Sequence, residues 1–236
     1  MAPDFIFLVI VALGMLLAAR GRKVTWGGAV MGGLLSVAIM WGSGYTGFTL
    51  LVTFFLLGTA ATGWKRSEKS RVAGRESSRR TAGQVFANAG VPALLALLAI
   101  LMPQHQSLFK LMVAASFSSA TADTLSSELG IIYGRRFYNI WSFKKDQRGL
   151  DGVISVEGTL LGIAGSLAIC AVYALQEGTD HTLIWILVAG TVGNLTDSLL
   201  GAVLERKNMI GNNTVNFLNT LVAALVVLLL SVMFAY

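Results

Sequence analysis

Four acidic residues sit where an apolar chain is least able to hold them. Asp123, Glu128, Glu157 and Asp197 fall within or at the edges of long hydrophobic stretches. A charge inside a membrane span is costly, and such residues usually face the protein interior and serve a function. Asp123 and Asp197 have matching surroundings. Ala-Thr-Ala-Asp-Thr-Leu-Ser-Ser-Glu-Leu-Gly (120–130) and Gly-Asn-Leu-Thr-Asp-Ser-Leu-Leu-Gly-Ala (193–202) each put a small hydroxylated residue directly after the acid and another shortly before it. Small neighbours let helices approach closely, and hydroxyls can hydrogen-bond a buried carboxylate. Mg²⁺ takes one or two carboxylates together with water and substrate phosphates. Asp123 with Asp197 or Glu157 could therefore hold Mg²⁺, while Arg79, Arg80, Arg135, Lys144 and Lys145 in adjoining segments could grip a triphosphate. That combination is the chemistry of phosphoryl transfer, in which metal and cations neutralise oxygens and hold the reactants in line. A remaining carboxylate, Glu128 included, could accept the proton of an attacking hydroxyl. An acceptor that is already a phosphate needs no strong base.

Depth groups these residues. At 1.5 Å per residue, Asp123 lies ~10 Å inside the connector that begins near residue 130, and Asp197 ~12 Å inside Glu205. Asn88 is roughly 12 Å inside Arg80, and Asn219 roughly 9 Å inside Asn213. Gln84, Glu128, Glu157 and Asn216 are shallower on the same side. The opposite halves of these segments, 93–101 and 221–230, are apolar. The pattern predicts a pocket open to one side of the membrane and closed to the other. An ion pore would be polar through its full depth.

The elements that must position these groups follow from composition. The chain is 55% hydrophobic and only 13% charged, about half the charge of an ordinary soluble domain, with a mean hydropathy of +0.69. About 20 apolar residues span a bilayer as a helix. Eight candidate spans result: 4–19, 26–40, 45–63, 81–101, 108–129, 152–174, 182–204 and 215–234. The reading is an all-α polytopic bundle, one integral membrane domain over 1–236, with basic loops at 64–80 and 130–151. All but Lys110 of the 18 Lys and Arg fall in alternate connectors. Because such residues favour the cytosolic side, both termini are expected outside and the pocket opens to the cytosol. Seven basic residues in 64–80 exceed what topology requires, so some of them are expected to bind phosphate or anionic lipid.

Several readings are excluded or weak. Single Cys170 permits neither an intrachain disulfide nor a thiolate zinc site. Basic residues confined to membrane loops make nucleic acid a poor partner. Gly42-Ser-Gly-Tyr-Thr-Gly47 spells G-x-G-x-x-G but joins two spans, without the strand–turn–helix setting of a phosphate cradle. Its glycines are expected to form a tight outer turn. No Walker A sequence is present, and Thr81 reads as a helix-start residue.

The stretches Gly-Arg-Glu-Ser-Ser-Arg-Arg-Thr-Ala-Gly-Gln-Val-Phe-Ala-Asn (74–88), 120–130, Val-Ile-Ser-Val-Glu-Gly-Thr-Leu-Leu-Gly (153–162) and Leu-Thr-Asp-Ser-Leu-Leu-Gly-Ala (195–202) closely resemble the phytyl-phosphate kinase family. The likeness runs from about residue 25 and keeps the motif order. More distantly, Asp123, Gly130, Gly134 and Ser155-Val-Glu157-Gly-Thr159 are similar to a pattern in CTP-dependent dolichol, phytol and diacylglycerol kinases. The resemblance implies phosphorylation of an isoprenoid monophosphate to its diphosphate, with CTP as donor; Mg²⁺ is the cofactor expected from the carboxylates. It implies Asp123 and Glu157 as core site residues, with Arg80, Gln84, Asn88, Asp197 and Asn219 around them; Ser155, Thr159 and Asn216 are further candidates for nucleotide binding. The sequence departs from the family at 147–155, where many relatives show a Thr-Asn-Gly-Gly-Val-Ser-like run. Plant members also carry a transit peptide not seen here, so a bacterial or cyanobacterial membrane is the expected setting.

The expectation is thus a multi-pass membrane enzyme passing phosphate from CTP or ATP to phytyl or geranylgeranyl phosphate, a step of lipid and tocopherol metabolism. Rivals are a prenol or lipid alcohol kinase, a lipid cytidylyltransferase, and a proton-coupled lipid transporter.

Overall fold

The computed structural model describes residues 5–73 and 79–234. Residues 74–78 of the first motif, Arg75 among them, and Asp4 at the start of the first predicted span lie outside the described residues. The chain is an all-α bundle: α1 (Phe5–Arg20), α2 (Trp26–Gly63), α3 (Arg66–Ala73), α4 (Ala82–Leu101), α5 (Gln106–Tyr133), α6 (Val156–Glu177), α7 (Thr182–Val203) and α8 (Asn212–Met233). A two-residue antiparallel pair, β1 (Tyr138–Asn139) with β2 (Val153–Ile154), closes the long connector between α5 and α6.

Among the described residues, five helices are long and apolar enough to cross a membrane: α2, α4, α6, α7 and α8. At 16 residues α1 is shorter. With 28 residues α5 has the length, but its Ser, Thr and acidic residues dilute its apolar character. The reason is its position. Every residue from Leu111 to Ala122 is buried, and α5 packs on α2, α4, α6, α7 and α8. A helix enclosed on all sides contacts neighbouring helices rather than lipid, and small residues allow those neighbours to come close.

The 38-residue α2 would be ~57 Å long if straight, almost twice the hydrocarbon thickness. It is a hairpin. Gly44 adopts φ 62°, ψ −156°, a region open essentially to glycine alone, and the chain reverses there. Gly47 consequently touches Ile39, and Gly28 and Gly58 both lie against Arg80. The two arms are the predicted second and third spans. Gly44 reverses the chain within what is otherwise continuous helix, where an outer turn was expected. Gly42 has a separate role, since a Cβ there would sit 1.7 Å from the Ala96 carbonyl oxygen of α4.

Boundaries differ from those predicted at several places. α5 runs four residues further, to Tyr133. Part of the basic 64–80 loop forms α3. Of residues 152–155, Gly152 ends a turn, Val153–Ile154 form the strand and Ser155 is the N-cap of α6, where its Oγ accepts from Gly158 N at 3.1 Å. Thr81 is the helix-start residue expected: its backbone N–H donates to Gln84 Oε1 at 2.9 Å and its Oγ1 accepts from Gln84 N at 3.4 Å, a capping box.

The α5–α6 connector is lashed down by Arg206. Its Nε donates to the Asp151 carbonyl at 2.5 Å and its Nη1 to Asp146 Oδ2 at 2.7 Å. Hydrogen bonding from Arg206 holds the Asp146 carboxyl below the usual carboxylate range.

Gly44→Ala and Gly42→Ala are each expected to lower the melting temperature in detergent. Strain at Gly44 alone corresponds to about 1–3 kcal/mol. Gly14→Ala, where a Cβ meets nothing within 4 Å, is the control and is expected to be harmless. Arg206→Ala is expected to speed amide hydrogen exchange across 134–155 at neutral pH. A depressed pKa stabilises above the ordinary carboxylate value and is lost as pH falls through the lowered one. Wild type should therefore show the same loosening only on acidification below about pH 4.

Candidate active site

At the end of the bundle that carries the basic connectors, the helices enclose a cavity of about 430 Å³. Arg80, Gln84 and Asn88 face it from α4 and its approach, and Asp123, Thr124 and Glu128 from α5. Asn194, Asp197 and Ser198 come from α7 and Asn212 and Asn216 from α8, while residues 149–155 pass across it as a strap.

The strap is placed by two glycines with left-handed backbone, Gly149 (φ 85°) and Gly152 (φ 72°). Gly152 lies so close to the end of α7 that a Cβ would fall 2.3 Å from Ala202 N. Its carbonyl accepts from Ile140 N at 3.0 Å. The departure from the family pattern at 147–155 therefore sits on the cavity wall.

Asp123 and Asp197, on different helices, bring their carboxyl groups within hydrogen-bonding reach of each other. Asn219 Nδ2 donates to Asp197 Oδ1 at 2.7 Å. Asn219 is fully buried, and its own Oδ1 accepts from Ser119 Oγ at 3.1 Å. The carboxamide is thereby fixed in one orientation and fixes the acid in turn. Further acids add negative charge around the pair, Glu128 and Glu205 towards Asp123 and Asp151 towards Asp197. Carboxylates this close repel unless a cation or a proton intervenes. The donor set suits a hard divalent cation that keeps some of its ligands from water or phosphate.

Among the described residues no three Asp, Glu, His or Cys side chains gather closely enough to enclose a metal. Of the expected ligands, Asp123 and Asp197 share the cavity wall and Glu157 is placed apart from them. Glu157 is in the first turn of α6, where Oε2 accepts from Arg135 N at 3.3 Å and Oε1 lies 3.9 Å from Arg135 Nε. It anchors the start of the α5–α6 connector and does not line the cavity. One turn of helix direction separates the outcomes: its neighbours Ser155 and Gly158 do line the wall.

The cations divide in the same way. Of Arg79, Arg80, Arg135, Lys144 and Lys145, only Arg80 lines the cavity. Arg79, Lys144 and Lys145 are exposed, and Arg135 is 87% exposed beside Glu157. Arg80 is pinned by its backbone, with N donating to Lys23 O at 3.1 Å and O accepting from Thr25 N at 3.0 Å. Thr159 Oγ1 donates back to Ser155 O at 3.1 Å and is not on the wall. Asn88 Nδ2 donates to Gln84 O at 2.9 Å, and Asn216 Nδ2 to Asn212 Oδ1 at 3.0 Å.

Sequence reasoning did not single out Lys69, Arg66 or Asn194. Lys69 is buried; its ammonium donates to the Ala61 and Thr62 carbonyls, both at 2.8 Å, and pairs with Glu128. It thus closes the C-terminal end of α2 and orients Glu128 on the cavity wall. The surplus of basic residues in 64–80 was the signal available. For Asn194 it was position, three residues before Asp197 and so on the same helix face.

The comparisons with known proteins bear on the whole chain. An uncharacterized membrane protein of Methanocaldococcus jannaschii is 30% identical over 222 residues, 94% of this chain and 92% of the relative. The chloroplastic protein VTE6 of Arabidopsis thaliana is 31% identical over 232 residues, 94% of this chain and 69% of the relative. An uncharacterized membrane protein of Synechocystis is 32% identical over 196 residues, 81% of this chain and 76% of the relative. No solved structure is significantly similar. Residues 9–224 match the family described as integral membrane protein DUF92, and two of these relatives align over 94% of this chain; the protein is a member of that family.

Proposed function

We propose that the protein is a membrane phosphotransferase that passes the γ-phosphoryl group of a nucleoside triphosphate, CTP by resemblance, to an isoprenoid monophosphate at the cytosolic face. The observation that carries the reading is the Asp123–Asp197 pair, from two helices, facing Arg80 across one cavity. The motifs similar to the phytyl-phosphate kinase family support the acceptor, and the basic connectors at this end of the bundle support the cytosolic orientation.

Asp123 and Asp197 would hold Mg²⁺, with Asn219 setting the angle of the Asp197 carboxylate. When bound, the ion supplies charge neutralisation for the phosphate oxygens. Arg80 binds an acceptor or donor phosphate, a task for which its fixed fork suits it better than a lysine would. Lys69 keeps Glu128 turned to the cavity. The strap at 149–155 covers the site and excludes water, which would otherwise compete as acceptor. In the reaction an oxygen of the acceptor monophosphate forms a bond to the γ-phosphorus while the bond from that phosphorus to the β-bridging oxygen breaks. The nucleoside diphosphate departs with the electron pair. The acceptor oxygen is already anionic, so no side chain has to remove a proton.

Purified protein incubated with γ-labelled CTP or ATP and prenyl monophosphates is expected to yield labelled prenyl diphosphate and CDP or ADP. Release of pyrophosphate would identify a cytidylyltransferase, and counterflow in sealed vesicles without turnover a transporter. Asp123→Asn is expected to abolish transfer while leaving the melting temperature intact. Asn219→Ala, acting through Asp197, is expected to cost about 10–100-fold and to raise the Mg²⁺ concentration needed for half-maximal rate. Equal Mg²⁺ dependence in that variant would show that Asn219 does not position an ion ligand.

A further inference from the structure

A second cavity, of about 480 Å³, lies between α1, both arms of α2 and the first turns of α4. It is within the size range of small-molecule sites. Its wall is aliphatic and aromatic, with Met15, Phe48 and Phe55 among its side chains. One end differs. There the lining includes Lys23, Arg80, Gln84 and Asn88, and the last three also line the acidic cavity. The two cavities therefore adjoin at these side chains.

Arg80 occupies the junction. Its guanidinium carbon stands 5.7 Å from the centre of the Phe54 ring, which belongs to the apolar wall. Its terminal nitrogens lie 2.9 and 3.5 Å from where a Cβ of Gly58 would be, a point 3.4 Å from the Thr124 methyl on the polar wall. The missing side chain at Gly58 is what lets the guanidinium lie between the two spaces.

Resting on the proposed phosphotransferase activity, we infer that the apolar cavity seats the isoprenoid chain of the acceptor, with its phosphate received by Arg80 at the junction. From Gly28, beside Arg80, to Ser36 the cavity follows α2 for about 12 Å, so a chain entering tail-first would lie along the helix axis with its phosphate at the level of the acidic pair. An apolar hollow of this kind favours hydrocarbon over water, which finds no partners there. The space is left by glycines. A Cβ at Gly14 meets nothing within 4 Å, and one at Gly32 meets only Val85, at 3.8 Å. Larger side chains at these two positions would project into the hollow without displacing the helices that frame it.

The test varies tail length against cavity filling. With Gly14→Phe or Gly32→Leu, the ratio of kcat/KM for geranylgeranyl phosphate to that for dimethylallyl phosphate is expected to fall about 10-fold or more. An unchanged ratio in a folded variant places the tail elsewhere and overturns the inference. A geranylgeranyl phosphate carrying a diazirine on its terminal isoprene tests the wild-type protein without turnover. Crosslinks in α1 and α2 near Met15 and Phe55, competed by geranylgeranyl phosphate but not by phosphatidylglycerol, support the seat. Labelling elsewhere, or equal competition by phosphatidylglycerol, overturns it. Absence of phosphoryl transfer from any donor in wild type would instead sink the activity, leaving the photolabel to judge the cavity by itself.

Discussion

Two carboxyl groups from separate helices, held together inside an apolar bundle, are the constraint around which the rest of this structure is organised. Isolated charge in a low-dielectric interior is expensive, and two like charges compound the cost. The fold keeps Asp123 and Asp197 together through a chain of fixed neighbours: Ser119 orients Asn219, and Asn219 orients Asp197. An arrangement built with that much support and surrounded by further acids is suited to receive a cation together with its phosphates.

The architecture serves that placement. A central α5 made of small and hydroxylated residues lets five neighbouring elements approach it, so a single helix presents its acids to groups from α4, α7 and α8. The α2 hairpin, turned at Gly44, brings Gly28 to the backbone carbonyl of Arg80 and Gly58 to its guanidinium. The cavity is closed on its remaining side by the strap, which depends on Gly152 for its approach to α7 and on Arg206 for its attachment. Polar site and apolar hollow thus share a wall because the same hairpin and the same arginine bound both.

Much of this was legible in the sequence where one-dimensional depth translates directly into position. Asp123, Asp197, Asn88 and Asn219 lie at similar distances along their helices from one end, and helices that are packed side by side bring equal depths together. Helix direction was less legible. Glu157 has the right depth, but its side chain turns from the wall to bond Arg135, and nothing in spacing alone gives that rotation. The basic connectors also resisted reading, because topology and ligand binding both call for Lys and Arg. Lys144 and Lys145 are exposed and stand off the cavity wall. Lys69 satisfies neither in the expected way: α3 folds it back against the end of α2, a tertiary event without a local sequence signature. The G-x-G-x-x-G stretch shows the same limit, since Gly42 serves helix contact and Gly44 serves reversal.

The most direct test of the central claim is Mn²⁺ binding to the purified protein, followed by electron paramagnetic resonance in the presence of a non-hydrolysable CTP analogue. The expected result is a saturable site that disappears in both Asp123→Asn and Asp197→Asn and survives in Glu157→Gln. Binding that is indifferent to Asp123 and Asp197, or that is lost only with Glu157, would contradict a cation site built on the α5–α7 pair.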